Sequence, residues 1–323
     1  MTQTEKAKQG AIGFMICTRQ RPLMLKNCLL SVIEQIESSD HDDFIIIIEN
    51  DSENHCENIV AKLCEKFPDI PMHYLLETNI GISFARQTGL NFCLSKEAEW
   101  AAFIDDDETL EEGWLEAMRR ATLEMDCEVL TGPVRYIYPD EIPVFLKRPV
   151  METIPRGDSL EKAATNNTLL QVAWYSKHQK ELQFDPFFRY TGGEDTDFFY
   201  ALTDLGGKIQ WVDDAIVRED VPKERLEMVW QLERRRRVWS TLVIVSKKRN
   251  KLFELISRYG LRSLRRFMRG TIYVLLSYPL SIVTPKKAMR MKYKAKRNMM
   301  EVLGFWDALF GTQVEPYRNI TGS

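Results

Sequence analysis

Three consecutive carboxylates, Asp105-Asp106-Asp107, followed at once by Glu108, close the apolar run Trp100-Ala101-Ala102-Phe103-Ile104. The run reads as a buried strand, and such a strand tolerates acids only at its end, where they meet water or a cation. Carboxylates packed side by side repel one another unless a divalent ion or a donor-rich ligand offsets the repulsion. The chemistry this suggests is a metal-diphosphate site at the carboxyl end of a central strand. The competing reading is a solvated loop leading into a helix over residues 111–125.

A second acidic group lies in Tyr190-Thr191-Gly192-Gly193-Glu194-Asp195-Thr196-Asp197-Phe198-Phe199. The two glycines allow a tight turn into a helix, and the acids fall in its first turn, where the positive end of the dipole favours them. Taken alone, that is an ordinary acidic helix start. The aromatic residues around it, among them Phe187, Phe188 and Tyr200, add another possibility. A carboxylate held at the wall of an apolar cleft is the kind of group that serves as a general base.

Chemistry at these two places requires elements that bring them together. Residues 11–18 (AIGFMICT), 44–48 (FIIII), 72–76 and 100–104 read as strands, the longer ones nearly continuous in apolar residues. Between them, residues 25–36 carry Leu25, Leu29, Val32, Ile33 and Ile36 at helical spacing. Residues 54–67 form a second helix with Ser52 or Asp51 as its cap, and Asn79-Ile80-Gly81-Ile82-Ser83 opens a third. Strand alternating with helix argues for an α/β fold, a mostly parallel sheet covered on both faces, whose ligands bind outside the carboxyl ends of the strands. Three of those ends carry Thr18 and Arg21, Glu49 and Asp51, and Asp105 to Asp107. Further on, 208–212 and 215–217 are short strands, with Arg218-Glu219-Asp220 at the exit of the second. A helix over about 222–245 contains Arg234 to Arg237 between Trp230 and Trp239.

A chain of 323 residues, 44% hydrophobic, has the material for a substantial core. Its six cysteines show no paired CxxC spacing and sit mostly in apolar runs, as reduced core thiols in a cytosolic setting do. The polar stretch 1–10 lacks the apolar run of an export signal. The net charge of -3 conceals an asymmetry. Between Arg234 and Arg297 stand 20 Lys and Arg against one acid, Glu254, so this stretch carries about +19 and the remainder about -22.

Taken together, CTRQRP, ENDS, NIGISFARQTGL, FIDDDETLEEGW, TGPV and GGEDTDFFYALTDLGGKIQWVDDAIV resemble family 2 glycosyltransferases of the GT-A fold. The pattern is nearest to the glucosyltransferases of succinoglycan biosynthesis and covers about residues 12–239. The resemblance implies a mixed, mostly parallel central sheet with helices on both faces. It also implies an inverting hexosyltransferase that uses UDP-glucose or a similar nucleotide-diphosphate sugar and a divalent cation, Mg²⁺ or Mn²⁺. Donor binding would then fall to Thr18, Arg21, Glu49, Asp51, Arg86, Asp105 and Asp106. Glu49 stands where many members have Asp. Asp107 of the DxD motif would hold the cation, with Glu219 in the neighbourhood where many members have a metal-binding histidine. Asp195 would be the catalytic base, with Glu194 beside it. The Gln-x-x-Arg-Trp motif of processive synthases is only loosely echoed by Gln231, Arg234 and Trp239, which argues against a processive polymerase.

Elementary chemistry agrees with these roles. A nucleotide diphosphate leaves as an anion, which a cation on oxygen ligands stabilises, whereas glycoside hydrolysis must protonate its leaving group with a second carboxyl group. A single base opposite the leaving group therefore suffices, and the anomeric centre inverts.

The expected organisation is a catalytic domain over 1–245 and a basic, amphipathic helical region over 246–323. In the latter, Arg258, Arg262, Arg265, Arg266 and Arg269 recur at helical spacing, with Leu252, Leu255, Ile256, Tyr259, Leu264, Phe267 and Met268 as the apolar side. The uncharged run 271–284 is 14 residues long and interrupted by Pro279, too short to span a bilayer of about 20 residues. An interfacial or re-entrant element at an anionic membrane fits better, against the alternative of a core helix with a solvated basic surface. A peripheral place on the inner face of the cytoplasmic membrane would suit a saccharide acceptor on a polyprenyl diphosphate. Residues 138–167 are expected to shape the acceptor side, with Asn166 and Asn167 as candidates. Other readings are a nucleic-acid binder, disfavoured by the acidic first half, a catalytically inactive nucleotide- or glycan-binding relative, and a rhamnosyl- or galactosyltransferase of the same fold.

Overall fold

The computed structural model describes residues 10–311 apart from 149, 152, 250–252 and 254; the polar stretch 1–9 and Leu252 lie outside the described residues. The first half alternates as expected. Strands β1 (Ile12–Thr18), β2 (Phe44–Glu49), β3 (Met72–Leu76) and β4 (Trp100–Asp105) are connected by helices α1 (Pro22–Glu37), α2 (Glu57–Lys66) and α3 (Ile82–Ser95). Helix α2 starts at Glu57 with Cys56 in the cap position and no side-chain cap, so neither Ser52 nor Asp51 caps it. Asp51 instead accepts from the backbone N–H of Ser52, as a turn residue does.

The acids after β4 do not run through a loop into a helix at residue 111. They continue into a three-residue strand, β5 (Glu108–Leu110), and α4 begins only at Trp114 and ends at Glu124. Then come β6 (Val129–Thr131), β7 (Val134–Ile137), β8 (Ser159–Leu160), β9 (Thr168–Gln171), α5 (Val172–His178) and α6 (Glu194–Asp204). Strands β10 (Ile209–Trp211) and β11 (Val217–Asp220) follow, so Glu219 lies within a strand rather than at its exit.

Eight strands form one sheet in the order β3-β2-β1-β4-β9-β6-β10-β8. The β3-β2-β1-β4 half and the β6–β10 pair are parallel; β9 runs antiparallel to both β4 and β6. One apolar layer, built on Phe14, Ile16, Ile45 and Ile47, packs under α1, α2 and α4. The other, with Met15, Ile46, Ile48 and Phe103, packs under α3, α5 and α6. Alternate residues of one strand thus enter opposite layers, which is why β1, β2 and β4 must be apolar throughout.

A second sheet, β5-β11-β7, stands beyond the carboxyl end of β4. Its β5–β11 register sets Glu219 opposite Glu108. Asn167, at φ +85, is fully buried and serves the fold. Its amide oxygen accepts from Trp114 Nε1 at 2.7 Å, and its Nδ2 donates to the carbonyls of Pro133 and Ala215 at 3.0 and 2.8 Å. That network excludes the acceptor-contacting role expected of Asn167, since every polar atom of the side chain is used inside the core.

The C-terminal layer is helical. A 3-10 turn (Lys223–Leu226) precedes α7 (Met228–Lys248), so the helix begins six residues later than the pattern suggests. After a π-helical turn (Leu255–Gly260), α8 (Leu261–Val283) and α9 (Pro285–Phe310) form a hairpin, with α9 also lying along α7. Gly304 makes the close approach of α9 possible, because a Cβ there would stand 2.3 Å from the Arg236 carbonyl oxygen. Arg236 and Asp307 join α7 to α9 through a two-pronged ion pair.

All six cysteines are free. Burial pushes the Cys17, Cys56 and Cys127 thiols up to about 12 and those of Cys28 and Cys93 upward as well. Alkylation proceeds through the thiolate. At pH 8 these five thiols of the native protein should therefore resist iodoacetamide, and all six cysteines should react after unfolding. Mass spectrometry of the time course checks this, and rapid labelling of Cys28 or Cys93 in the native chain would contradict it.

Candidate active site

The carboxyl ends of β1, β2 and β4 converge, and their polar side chains are tied to one another. Thr18 Oγ1 donates to Asp106 Oδ2 at 2.7 Å, and Arg21 Nη1 donates to Asp106 Oδ1 at 3.2 Å. Both oxygens of this buried carboxylate are therefore occupied by the β1 end. Asp105, whose side chain is 39% exposed, is the acid of the pair that faces open space.

At the end of β2, Glu49 is fully buried and takes the Cys56 backbone N–H at 2.8 Å and the Tyr74 hydroxyl on one oxygen, leaving Oε1 without a partner. Asp51 accepts from Gln20 Nε2 at 2.6 Å and has Arg19 at 3.7 Å. Burial works to raise its pKa, but the Ser52 and Gln20 hydrogen bonds and the Arg19 charge outweigh it and hold Asp51 below the usual range.

Asn50, between them in the ENDS stretch, is a positioning residue with no local pattern in the chain to mark it. Its Nδ2 donates to the carbonyls of Glu77 and Asn79, and its Oδ1 accepts from Gly81 N at 2.7 Å. These bonds hold the loop that opens α3. Gly81, at φ +141 with Arg189 against the space a Cβ would take, completes that turn.

The two acidic motifs, 90 residues apart in the chain, meet at one side chain. Arg86, buried on the first turns of α3, donates Nη2 to Asp105 Oδ1 at 3.2 Å and Nη1 to Glu194 Oε1. Glu194 opens α6 directly after Gly192 and Gly193, both at positive φ, and a Cβ on Gly193 would meet Thr241 of α7 at 2.1 Å. Only glycine fits that close passage between the two helices. Asp195, the next residue, is half-buried. Among the described residues its hydrogen-bond donors are the N–H and hydroxyl of Thr196, both to Oδ1. Its Oδ2 is the oxygen left for a ligand.

The expected metal ligands also converge. Arg225, from the 3-10 turn after β11, donates Nη2 to Asp107 Oδ2 at 2.9 Å and Nη1 to Glu219 Oε1. Around this pair the site is short of positive charge. Although one edge of its side chain is exposed, Asp105 is packed among protein atoms, and this desolvation, opposed by Arg86 and reinforced by Asp107 and Asp106, pushes it up to about 7. Burial likewise lifts Asp106 to about 6 against Arg21, and raises Glu219 against Arg225. Glu108, buried beside them, is pushed well up by desolvation and by Asp105 and Glu219. Glu194 rises to about 7 from burial, with Arg86 opposing.

Among the described residues no group of three or more His, Cys, Asp or Glu side chains is disposed to hold a metal ion. The donor set nevertheless suits a hard cation. Two carboxylates, Asp107 and Glu219, already share one positive group, and Mg²⁺ commonly takes one or two carboxylates and completes its shell with phosphates and water.

Comparison with known proteins follows the same lines. Residues 14–179 match the family model "Glycosyl transferase family 2", about half of the chain. The succinoglycan biosynthesis protein ExoM of Rhizobium meliloti is 29% identical over 239 residues, covering 71% of this chain and 73% of that protein. The glycosyltransferase GlyA of Streptococcus pneumoniae is 26% identical over 110 residues, 33% of this chain and 14% of GlyA. Among solved structures, GalNAc-T7 with UDP, GalNAc and Mn²⁺ superposes with a TM-score of 0.54 at 12% identity. The match covers 74% of this chain and 48% of that one, and the likeness is one of fold. With a GT-A-like sheet, the carboxyl-end acids and a family match through β1–β9, the chain is a glycosyltransferase and belongs to glycosyl transferase family 2.

Proposed function

We propose that this glycosyltransferase moves a hexose, with inversion, from a nucleotide-diphosphate sugar of the UDP-glucose type onto a lipid-linked saccharide in cell-surface or exopolysaccharide synthesis. The observation that carries the proposal is the position of Arg86. One guanidinium touches Asp105 of the DDD motif and Glu194 of the GGED motif, which brings the two acidic motifs side by side.

In this reading Thr18, Arg21, Asp51 and Asp105 lie on the nucleotide side, and Arg86 braces it. The buried Glu49 and Asp106, whose carboxylates are bonded within the protein, hold the strand ends that form it rather than contacting the nucleotide. The acceptor hydroxyl oxygen bonds to the anomeric carbon as the bond from that carbon to the diphosphate oxygen breaks, its electron pair leaving with the nucleotide. Asp195 Oδ2 takes the hydroxyl proton. Glu194, buried and bonded to Arg86, positions Asp195 rather than exchanging protons itself. Asp107 and Glu219 would hold a divalent cation, which supplies charge stabilisation to the departing diphosphate.

The acceptor's lipid explains the C-terminal layer. Helix α8 buries only the small residues Ser263, Gly270 and Ser277, seven apart, and a Cβ on Gly270 would press on Met299 of α9. Its large apolar residues, such as Leu264, Phe267, Ile272 and Leu275, are half or more exposed. They alternate with exposed Arg262, Arg265 and Arg269. A helix that turns its small face to its partner and its large apolar residues outward suits a lipid surface with anionic headgroups. No helix among the described residues is long and apolar enough to cross a membrane, and the region from residue 246 on is read as an interfacial platform.

The test is a panel of nucleotide-sugars with Mn²⁺ or Mg²⁺, with and without polyprenyl-diphosphate-linked saccharides in anionic liposomes. Nucleotide release that depends on both one donor and the lipid-linked acceptor is expected. Donor binding with no release on any acceptor would favour a non-catalytic nucleotide- or glycan-binding role.

A further inference from the structure

Arg225 stands where two assigned metal ligands meet. Its guanidinium bridges Asp107 and Glu219 while its carbonyl accepts from Gln231 Nε2 at 2.7 Å. The same guanidinium lies 5.9 Å from the centre of the Trp230 ring. One short turn, residues 222–231, is therefore held down at its tip by the acids of the site and at its base by α7. The acids crowd: Glu108 faces Glu219 across the β5–β11 pair and its carboxylate accepts from Asp105 N at 3.3 Å. Arg225 is the one cation in ion-pair contact with both Asp107 and Glu219 among the described residues. The small sheet that delivers Glu219 also delivers the turn, because the 3-10 helix begins three residues after β11 ends.

A guanidinium and a divalent ion cannot occupy the space between the same two carboxylates. We propose that Arg225 is a placeholder cation: it neutralises Asp107 and Glu219 before the donor arrives, must leave them when the metal enters, and thereby couples metal binding to movement of the 222–231 turn. The inference rests on the reading of Asp107 and Glu219 as metal ligands given above. Once released, Arg225 remains on a turn at the rim of the site, and a guanidinium there is a planar, multi-donor partner for a diphosphate. Metal alone competes with Arg225 and binds weakly. Metal together with a nucleotide diphosphate offers Arg225 a new partner and binds well. Arg225 is thus a positioning residue whose removal strengthens one binding step, an effect that a merely structural residue would not produce.

The experiment measures Mn²⁺ binding to the full chain by electron paramagnetic resonance without nucleotide, in wild type, Arg225→Gln and Asp107→Asn. Arg225→Gln is expected to bind free Mn²⁺ at least tenfold more tightly than wild type, and Asp107→Asn to lose binding. Unchanged or weaker Mn²⁺ binding in Arg225→Gln, with Asp107→Asn still defective, overturns the placeholder role and leaves the metal-site reading intact. Mn²⁺ binding indifferent to Asp107→Asn overturns both. A second readout needs no variant. In the wild-type chain, saturating Mn²⁺ should alter amide hydrogen exchange across residues 222–231, and unchanged exchange there would also overturn the proposal.

Discussion

Asp195→Asn should retain donor binding and lose sugar transfer by about 10²- to 10⁴-fold, the usual contribution of a positioned general base. The substitution is close to isosteric, and an asparagine oxygen can still accept from the Thr196 N–H that bonds Asp195 at 2.6 Å. The first turn of α6 is therefore kept, and the melting temperature should hardly move. What disappears is the basicity of Oδ2, the oxygen that no described residue engages. Single-turnover transfer with a saturating donor isolates the chemical step, and calorimetry of the metal-nucleotide complex checks that binding persists. Normal turnover by the variant would remove Asp195 from the mechanism, and with it the argument for inversion through a single carboxylate.

Arg86→Met should destabilise the protein by about 3–5 kcal/mol, the range for breaking a buried charge pair from one side. Arg86 and Glu194 are both nearly out of contact with solvent, and Glu194 Oε2 already lacks a hydrogen-bond partner. Without the guanidinium, Glu194 keeps only the positive end of its own helix, and Asp105 loses a cation while Asp106 and Glu108 remain beside it. The loss should be partly recovered in Arg86→Met combined with Glu194→Leu, because an apolar pair needs no compensation. Urea unfolding of the two single variants and the double variant forms the cycle. A loss below about 1 kcal/mol for Arg86→Met would mean that water, and not Arg86, balances these acids in the folded protein. Activity carries independent information: a merely stabilising Arg86 would leave transfer intact at low temperature, whereas a brace between donor and acceptor sides would not.

Much of the scaffold was legible in the chain. Residues 44–48 and 100–104 are continuous in apolar residues because both faces of those strands are covered, and continuity is a signal that a single sequence carries without help. The limits of β3 came out unchanged, and β1, β2 and β4 agreed to within a residue. Boundaries set by tertiary contacts did not. Helix α2 starts late because Asp51 and Ser52 form a turn beside Gln20 and Arg19, and α4 starts late because Glu108–Leu110 pair with β11, more than a hundred residues away. No local pattern reports a partner that distant. Leu264, Phe267 and Met268 read as an apolar side, yet α8 packs through Ser263, Gly270 and Ser277 and turns the larger residues outward. Periodicity identifies an apolar stripe without saying which side its neighbour takes.

By itself, the sequence determined which residue types could do chemistry and at which strand ends they would gather, because an apolar strand can release its acids only where it meets solvent. Tertiary structure alone decided the partners. Asp106 is consumed by Thr18 and Arg21, Asn167 is locked in the core, Arg86 joins Asp105 to Glu194, and Arg225 lies between Asp107 and Glu219. Each of these contacts closes a loop of at least 19 residues, except that between Arg225 and Glu219, which are six apart. Which charges come to share a buried space depends on strand order and register, quantities that no short stretch of the chain encodes.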